Sequence, residues 1–129
     1  MLSLTLSLVL ALTLLPSMAL AAEDVAINAA NFPDANFRTY ISETLDTDKD
    51  NSLSADEIAA VEMINVYDKG IADLTGIEHF KNLTKLLCYD NQLTTLDVSE
   101  NKALTLLTCD NNELTSLDVS GNTALMTLS

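Results

Sequence analysis

Hydrophobic positions from Val61 onward recur at a fixed interval, and the polar positions between them recur in step. Leu83-Thr84-Lys85-Leu86-Leu87-Cys88-Tyr89-Asp90-Asn91-Gln92-Leu93 returns as Leu104-Thr105-Leu106-Leu107-Thr108-Cys109-Asp110-Asn111-Asn112-Glu113-Leu114, and Leu125-Met126-Thr127-Leu128 begins it again. Each unit has a second half, because Thr95-Leu96-Asp97-Val98-Ser99-Glu100-Asn101 matches Ser116-Leu117-Asp118-Val119-Ser120-Gly121-Asn122. A looser first unit places Val61, Ile64, Val66 and Ile71 where the next has Leu83, Leu86, Cys88 and Leu93, with Lys69 at the place of Asn91. The step is 22 residues from Val61 to Leu83, then 21 to Leu104 and 21 to Leu125. A period of about twenty residues means stacked units, none of which buries its apolar face without a neighbour. The pattern predicts an α/β solenoid over 61–129, built on parallel β ladders.

Strand side chains alternate, so in Leu86-Leu87-Cys88 the outer two point inward and the middle one outward. The outward column then comprises Met63, Asn65 and Tyr67, next Lys85, Leu87 and Tyr89, and next Leu106, Thr108 and Asp110. Exposed Tyr67, Tyr89, Leu87 and Leu106 make a patch more apolar than solubility needs, a candidate binding face for a protein or glycan. Coverage by another domain or a continuation of the chain is the alternative. Asn91 and Asn112 are expected to turn their amides inward onto loop backbone groups, since a non-polar residue there leaves those groups unpaired. Leu96, Val98, Leu117 and Val119 point to a second short strand ladder. Cys88 and Cys109 share one inward slot a repeat apart, near enough to bond. The same slot holds Val66 in the first unit, which favours two reduced, buried thiols.

Ahead of the repeats, 23–60 reads as a helical cap. Asp24-Val25-Ala26-Ile27-Asn28 has no clear period, whereas Pro33 and Asp34 mark a helix start and Phe37, Tyr40, Ile41 and Leu45 form its apolar stripe. The helix runs into Asp46-Thr47-Asp48-Lys49-Asp50-Asn51-Ser52-Leu53-Ser54-Ala55-Asp56-Glu57, and Ile58 and Val61 continue an apolar face beyond it. Helix, acidic loop and helix make an EF-hand-like arrangement. Calcium takes about six to eight hard oxygens, and this loop offers Asp46, Asp48, Asp50, the carbonyl of Ser52, Ser54 and a bidentate Glu57. Asn51 stands where the pattern asks for glycine; asparagine is the non-glycine residue best suited to positive φ, so the turn is weakened, not forbidden. Ser54 and Glu57 also spell a capping box that would start the second helix without metal. Repulsion among three aspartates at alternate positions favours a bound cation, a structural calcium ion. Gly70 and Gly76 mark turns in the first repeat, and the lone His79 is read as a surface or satisfied residue.

LxxLxCxxNxL followed by LxxLDVSxN resembles a leucine-rich repeat, of the short nested 21-residue kind found in bacterial secreted and surface proteins. The stretch from Phe32 through Leu83 is also similar to the region that often precedes such repeats. The resemblance implies a non-enzymatic recognition module.

Composition narrows the partners. Nineteen Asp and Glu against six Lys and Arg leave a net charge of −13, which argues against nucleic acid and anionic membrane surfaces but not against divalent cations or basic partners. No Gly-rich phosphate loop is present. With one His and no paired Cys–His ligands, neither a catalytic triad nor a zinc site has its residues. Residues 1–22 carry no charge and end in Ala19-Leu20-Ala21, a small-x-small cleavage site, so they read as a signal peptide, with an uncleaved anchor as alternative. After cleavage no membrane insertion is expected, and either reading places the remainder outside the cytoplasm, secreted or at the cell surface. Because the pattern stops inside a repeat, further repeats or domains are expected beyond it. The alternative to recognition is a structural spacer or accessory region of a longer surface protein.

Overall fold

The computed structural model describes residues 22–129, so the expected signal segment lies outside the described residues except for Ala22. Among those residues no helix is long and apolar enough to cross a membrane. The N-terminal part holds strand β1 (Val25–Ala26), helix α1 (Ala35–Thr44), strand β2 (Ser52–Leu53) and helix α2 (Ala55–Ala59). The repeats supply β3 (Met63–Asn65), β4 (Lys85–Leu87), β5 (Leu106–Thr108) and β6 (Thr127–Leu128), with a 3-10 turn at Ile77–His79.

Helix α1 starts where its cap chemistry dictates. The Asp34 carboxylate accepts the N–H groups of Asn36 and Phe37 at 2.9 and 3.0 Å, satisfying donors that have no partner inside the helix. Phe37 and Ile41 are fully buried on its inner face, while Tyr40 and Leu45 pack against the same core from its margin. The other Asp34 oxygen accepts from Ala72 and Asp73, and the Asn36 amide donates to the Gly70 carbonyl, so the cap is tied to the first repeat by polar bonds as well as apolar burial. Phe32, Phe37 and Phe80 are fully buried at this junction, with Phe32 edge-on to Phe37 at 6.0 Å. Gly76 has φ +107°, and a Cβ there would overlap the Phe32 ring and lie 2.8 Å from the Asn31 carbonyl oxygen; only glycine fits.

The leader expected to be irregular is β1, which pairs antiparallel with β2, Val25 opposite Leu53 and Ala26 opposite Ser52. Two residues of strand are too few to announce a period of two. Strands β3 to β6 lie in chain order in one parallel sheet. Met63 pairs with Lys85, Lys85 with Leu106 and Leu106 with Thr127, reproducing the 22, 21 and 21 residue steps of the sequence. Ile64, Leu86 and Leu107 point inward from successive strands and are fully buried, each contributing about 2 kcal/mol of apolar burial. One apolar cluster runs without a break from Ile27 to Cys109.

The second half of each repeat departs from expectation. Leu96–Val98 and Leu117–Val119 form no strand. Val98 is buried and Leu96, Leu117 and Val119 half-buried, so their inward direction holds without a ladder. The reason lies in local bonds: Asp97 and Asp118 accept the N–H of Ser99 and Ser120, and the Asn101 and Asn122 amides donate to carbonyls of the preceding unit. Side chains take the roles that strand pairing would have filled.

Candidate functional site

Two groups of residues carry chemistry, the outward face of the parallel sheet and the acidic loop between α1 and α2. On the sheet, the ladder bonds continue past the strands, with Val66 N–H donating to Leu87 O at 2.9 Å and Cys88 N–H to Thr108 O at 2.8 Å. This keeps Tyr67, Tyr89 and Asp110 in one column. The Tyr67 and Tyr89 rings stack at 5.1 Å with 9° between their planes. Met63 and Tyr67 are exposed at 54% and 48%, and Asn65, Lys85 and Asp110 also face solvent. Leu87, Tyr89, Leu106 and Thr108 are half-buried, less open than expected, because neighbouring strands stand only about 4.8 Å apart and their side chains cover one another. The covered Thr108 hydroxyl has no hydrogen-bond partner. Tyr40, predicted only as core, uses its hydroxyl to accept the Asn65 N–H at 3.3 Å, closing the free edge of β3.

Behind the face, Asn91 accepts from Lys69 and Ile71 and donates to Val66, Cys88 and Tyr89 carbonyls. Asn112 repeats the arrangement with Leu93, Cys88, Cys109 and Asp110. Asn101 and Asn122 form a second such ladder on the opposite side, which the shared terminal Asn of each half-repeat could have flagged. Cys88 and Cys109 are buried free thiols. Burial, helped by Cys109 and Asp110, pushes the Cys88 thiol up to about 12, so it is an inert hydrophobe, not a nucleophile.

In the acidic loop, Asp46, Asp48 and Asp50 come together, each offering an oxygen within 4.8 Å of the others. Asp46 is only 2% exposed. Its Oδ2 accepts the Asn51 N–H at 3.0 Å, whereas its Oδ1 has no partner. Asn51 adopts φ 69°, the left-handed turn its position demands. Asp48 is raised above the usual carboxylate range by desolvation, with the charges of Asp50, Glu57 and Asp46 adding to it against a bond from the Asp50 N–H. Glu57, expected as a bidentate ligand, is not part of this cluster. One oxygen accepts from the Thr47 N–H and hydroxyl at 2.6 Å each, and the other from the Ser54 N–H at 2.9 Å. The Ser54 hydroxyl in turn accepts the Glu57 N–H, so the capping box of α2 engages both residues. Ser52 donates its hydroxyl to Asp50 at 2.8 Å. The Thr47 hydroxyl above all, then the Ser54 and Thr47 N–H groups, hold the Glu57 carboxyl down at about 2.

No protein-family model matches the chain. Internalin J of Listeria monocytogenes serotype 4b is 41% identical over 70 residues, 54% of this chain and 8% of that protein. A solved functional domain of internalin J from Listeria monocytogenes, which includes a cysteine ladder, superposes with a TM-score of 0.76 at 36% identity over 87% of this chain and 25% of that one. This chain has the leucine-rich-repeat solenoid fold. A second Listeria monocytogenes internalin, internalin F, gives a TM-score of 0.70 at 27% identity, over 85% of this chain and 33% of its own. The solenoid thus spans a small part of the curated relatives it matches, 8% of their length.

Proposed function

We propose that this solenoid is an exported, non-enzymatic recognition module that binds a protein through the outward face of β3 to β5, with a calcium ion bracing its N-terminal cap. The stacked, solvent-facing Tyr67–Tyr89 pair carries the reading of the face. Large rigid aromatic side chains left open on a sheet are the residues that anchor partners, because they bury much area for little lost entropy. Supporting export are the uncharged, apolar residues 1–22 and the similarity to internalins. An array of extracellular proteins and glycans, probed with the wild-type chain and a Tyr67→Ala/Tyr89→Ala double variant, tests it. The expected result is a protein held by the wild type and released about tenfold or more by the double variant, whose melting temperature is unchanged. Ligands held equally by both would remove the face, and glycans alone on the array would replace the protein by a sugar.

For calcium, the unpartnered Asp46 Oδ1 is the supporting observation. A buried carboxylate oxygen without a donor is costly, and a cation relieves it. Oxygens within 4.8 Å of one another suit ligands roughly 2.3–2.6 Å from one ion. Asp46, Asp48 and Asp50 would hold the ion, which would supply charge neutralisation and no chemistry. Since Glu57 is engaged in capping α2, coordination would be completed by backbone oxygen and water, and affinity would be modest. Added calcium is expected to raise the melting temperature of the wild type and not of Asp46→Ala. An unchanged wild-type melting temperature at millimolar calcium would exclude the ion.

A further inference from the structure

We infer that the Tyr67–Tyr89–Asp110 column receives a lysine or arginine side chain of the partner; this rests on the recognition-face reading and names the chemistry of what that face takes. Adjacent rungs of a parallel ladder are about 4.8 Å apart. The Asp68 N–H donates to Tyr89 O at 3.3 Å and the Asp90 N–H to Asp110 O at 3.1 Å, fixing the three rungs in step. Tyr67 covers one face of the Tyr89 ring. The other face is therefore turned along the ladder toward the Asp110 position. A cation seated there meets the negative face of a π system and a carboxylate together, an arrangement that neither group offers alone.

The nearest charges in the neighbouring column have the same sign as Asp110. Asp68 and Asp90 occupy the next column, exposed, beside the tyrosines. The neighbours of these carboxylates are neutral donors: the Asn111 amide reaches Asp90 at 2.7 Å and the Ser129 hydroxyl reaches Asp110 at 3.3 Å. Among the described residues the ion pair is Lys81–Glu100, away from this column. Lys85 shares the face but lies four residues along from Tyr89, about 13 Å in an extended strand. Lys69 follows Asp68, in the column of Asn91. A net charge of −13 extends the attraction to a basic partner beyond contact range and repels an acidic one. A flat sugar ring is served less well, since the two tyrosine rings cover each other instead of lying open side by side.

Calorimetric titration of the full chain with a Lys/Arg-bearing peptide, an uncharged aromatic peptide, an acidic peptide and a neutral oligosaccharide decides the matter. The basic peptide alone is expected to bind, about fivefold more weakly to Tyr89→Leu and to Asp110→Asn, with Asp118→Asn on the opposite side unchanged and affinity falling with salt. Basic-peptide binding that is indifferent to Tyr89→Leu and Asp110→Asn overturns the inference. Binding of the uncharged peptide or the sugar that Tyr89→Leu weakens and Asp110→Asn does not also overturns it, while leaving the recognition face standing. If no probe binds, the inference fails, and the protein array decides separately whether the face binds anything.

Discussion

Glu57 carries more hydrogen bonds than any other carboxylate of the cap, and its titration exposes what they contribute. Its folded pKa lies at about 2 against an ordinary 4.5, so the folded state binds its proton less readily than the unfolded chain. Stability from this group is fully present above the unfolded value and is lost as pH falls from about 4.5 through about 2. Thermal melts of wild type and Glu57→Gln are expected to differ at pH 7 and to converge toward pH 2; a constant gap across that range would contradict the assignment. At this scale the sequence was partly readable. Asn51 was legible because a turn position needing positive φ admits few residue types. Glu57 was less so, because Ser54-x-x-Glu57 spells both a helix cap and the end of a metal loop; its bonds to Thr47 and Ser54 show the cap, while calcium binding is what would show the loop.

At the scale of elements, the parallel ladder was readable because its apolar positions repeat with the chain, and burial on one face allows a single register. The second half of each repeat was not. Leu96-Asp97-Val98 alternates as a strand would, yet Asp97 bonds to Ser99 and Asn101 to carbonyls of the unit before, and these local partners win over ladder pairing. Asn101 donates to the Ile77 and Phe80 carbonyls from a fully buried position. Replacing it with Ala should cost about 2 kcal/mol or more, since two buried carbonyls lose their donor. The same change at Asp97, an exposed turn residue, should cost less than about half as much. Urea unfolding of the two variants compares them; equal losses would show that the asparagine ladder is not what holds the repeats together. Strand β1 escaped the sequence for a different reason, because its pairing with β2 is set by the loop it closes and not by its own pattern.

At the scale of the whole molecule, the cap and the repeats share one apolar core, and the polar bonds from Asp34 and Asn36 to the first repeat fix how they meet. That rigidity keeps the tyrosine column in place without any ligand, so binding should require little rearrangement. The stacked tyrosine pair and Asp110 belong to one side of one sheet, where the strand order brings together residues more than forty positions apart in sequence, from Met63 to Asp110. The most direct test is to map the amide resonances perturbed when the partner found on the protein array is bound. The expected pattern is confined to Met63–Tyr67, Lys85–Tyr89 and Leu106–Asp110. Perturbations centred on Asp97–Asn101 and Asp118–Asn122 instead would place recognition on the opposite side and contradict the account.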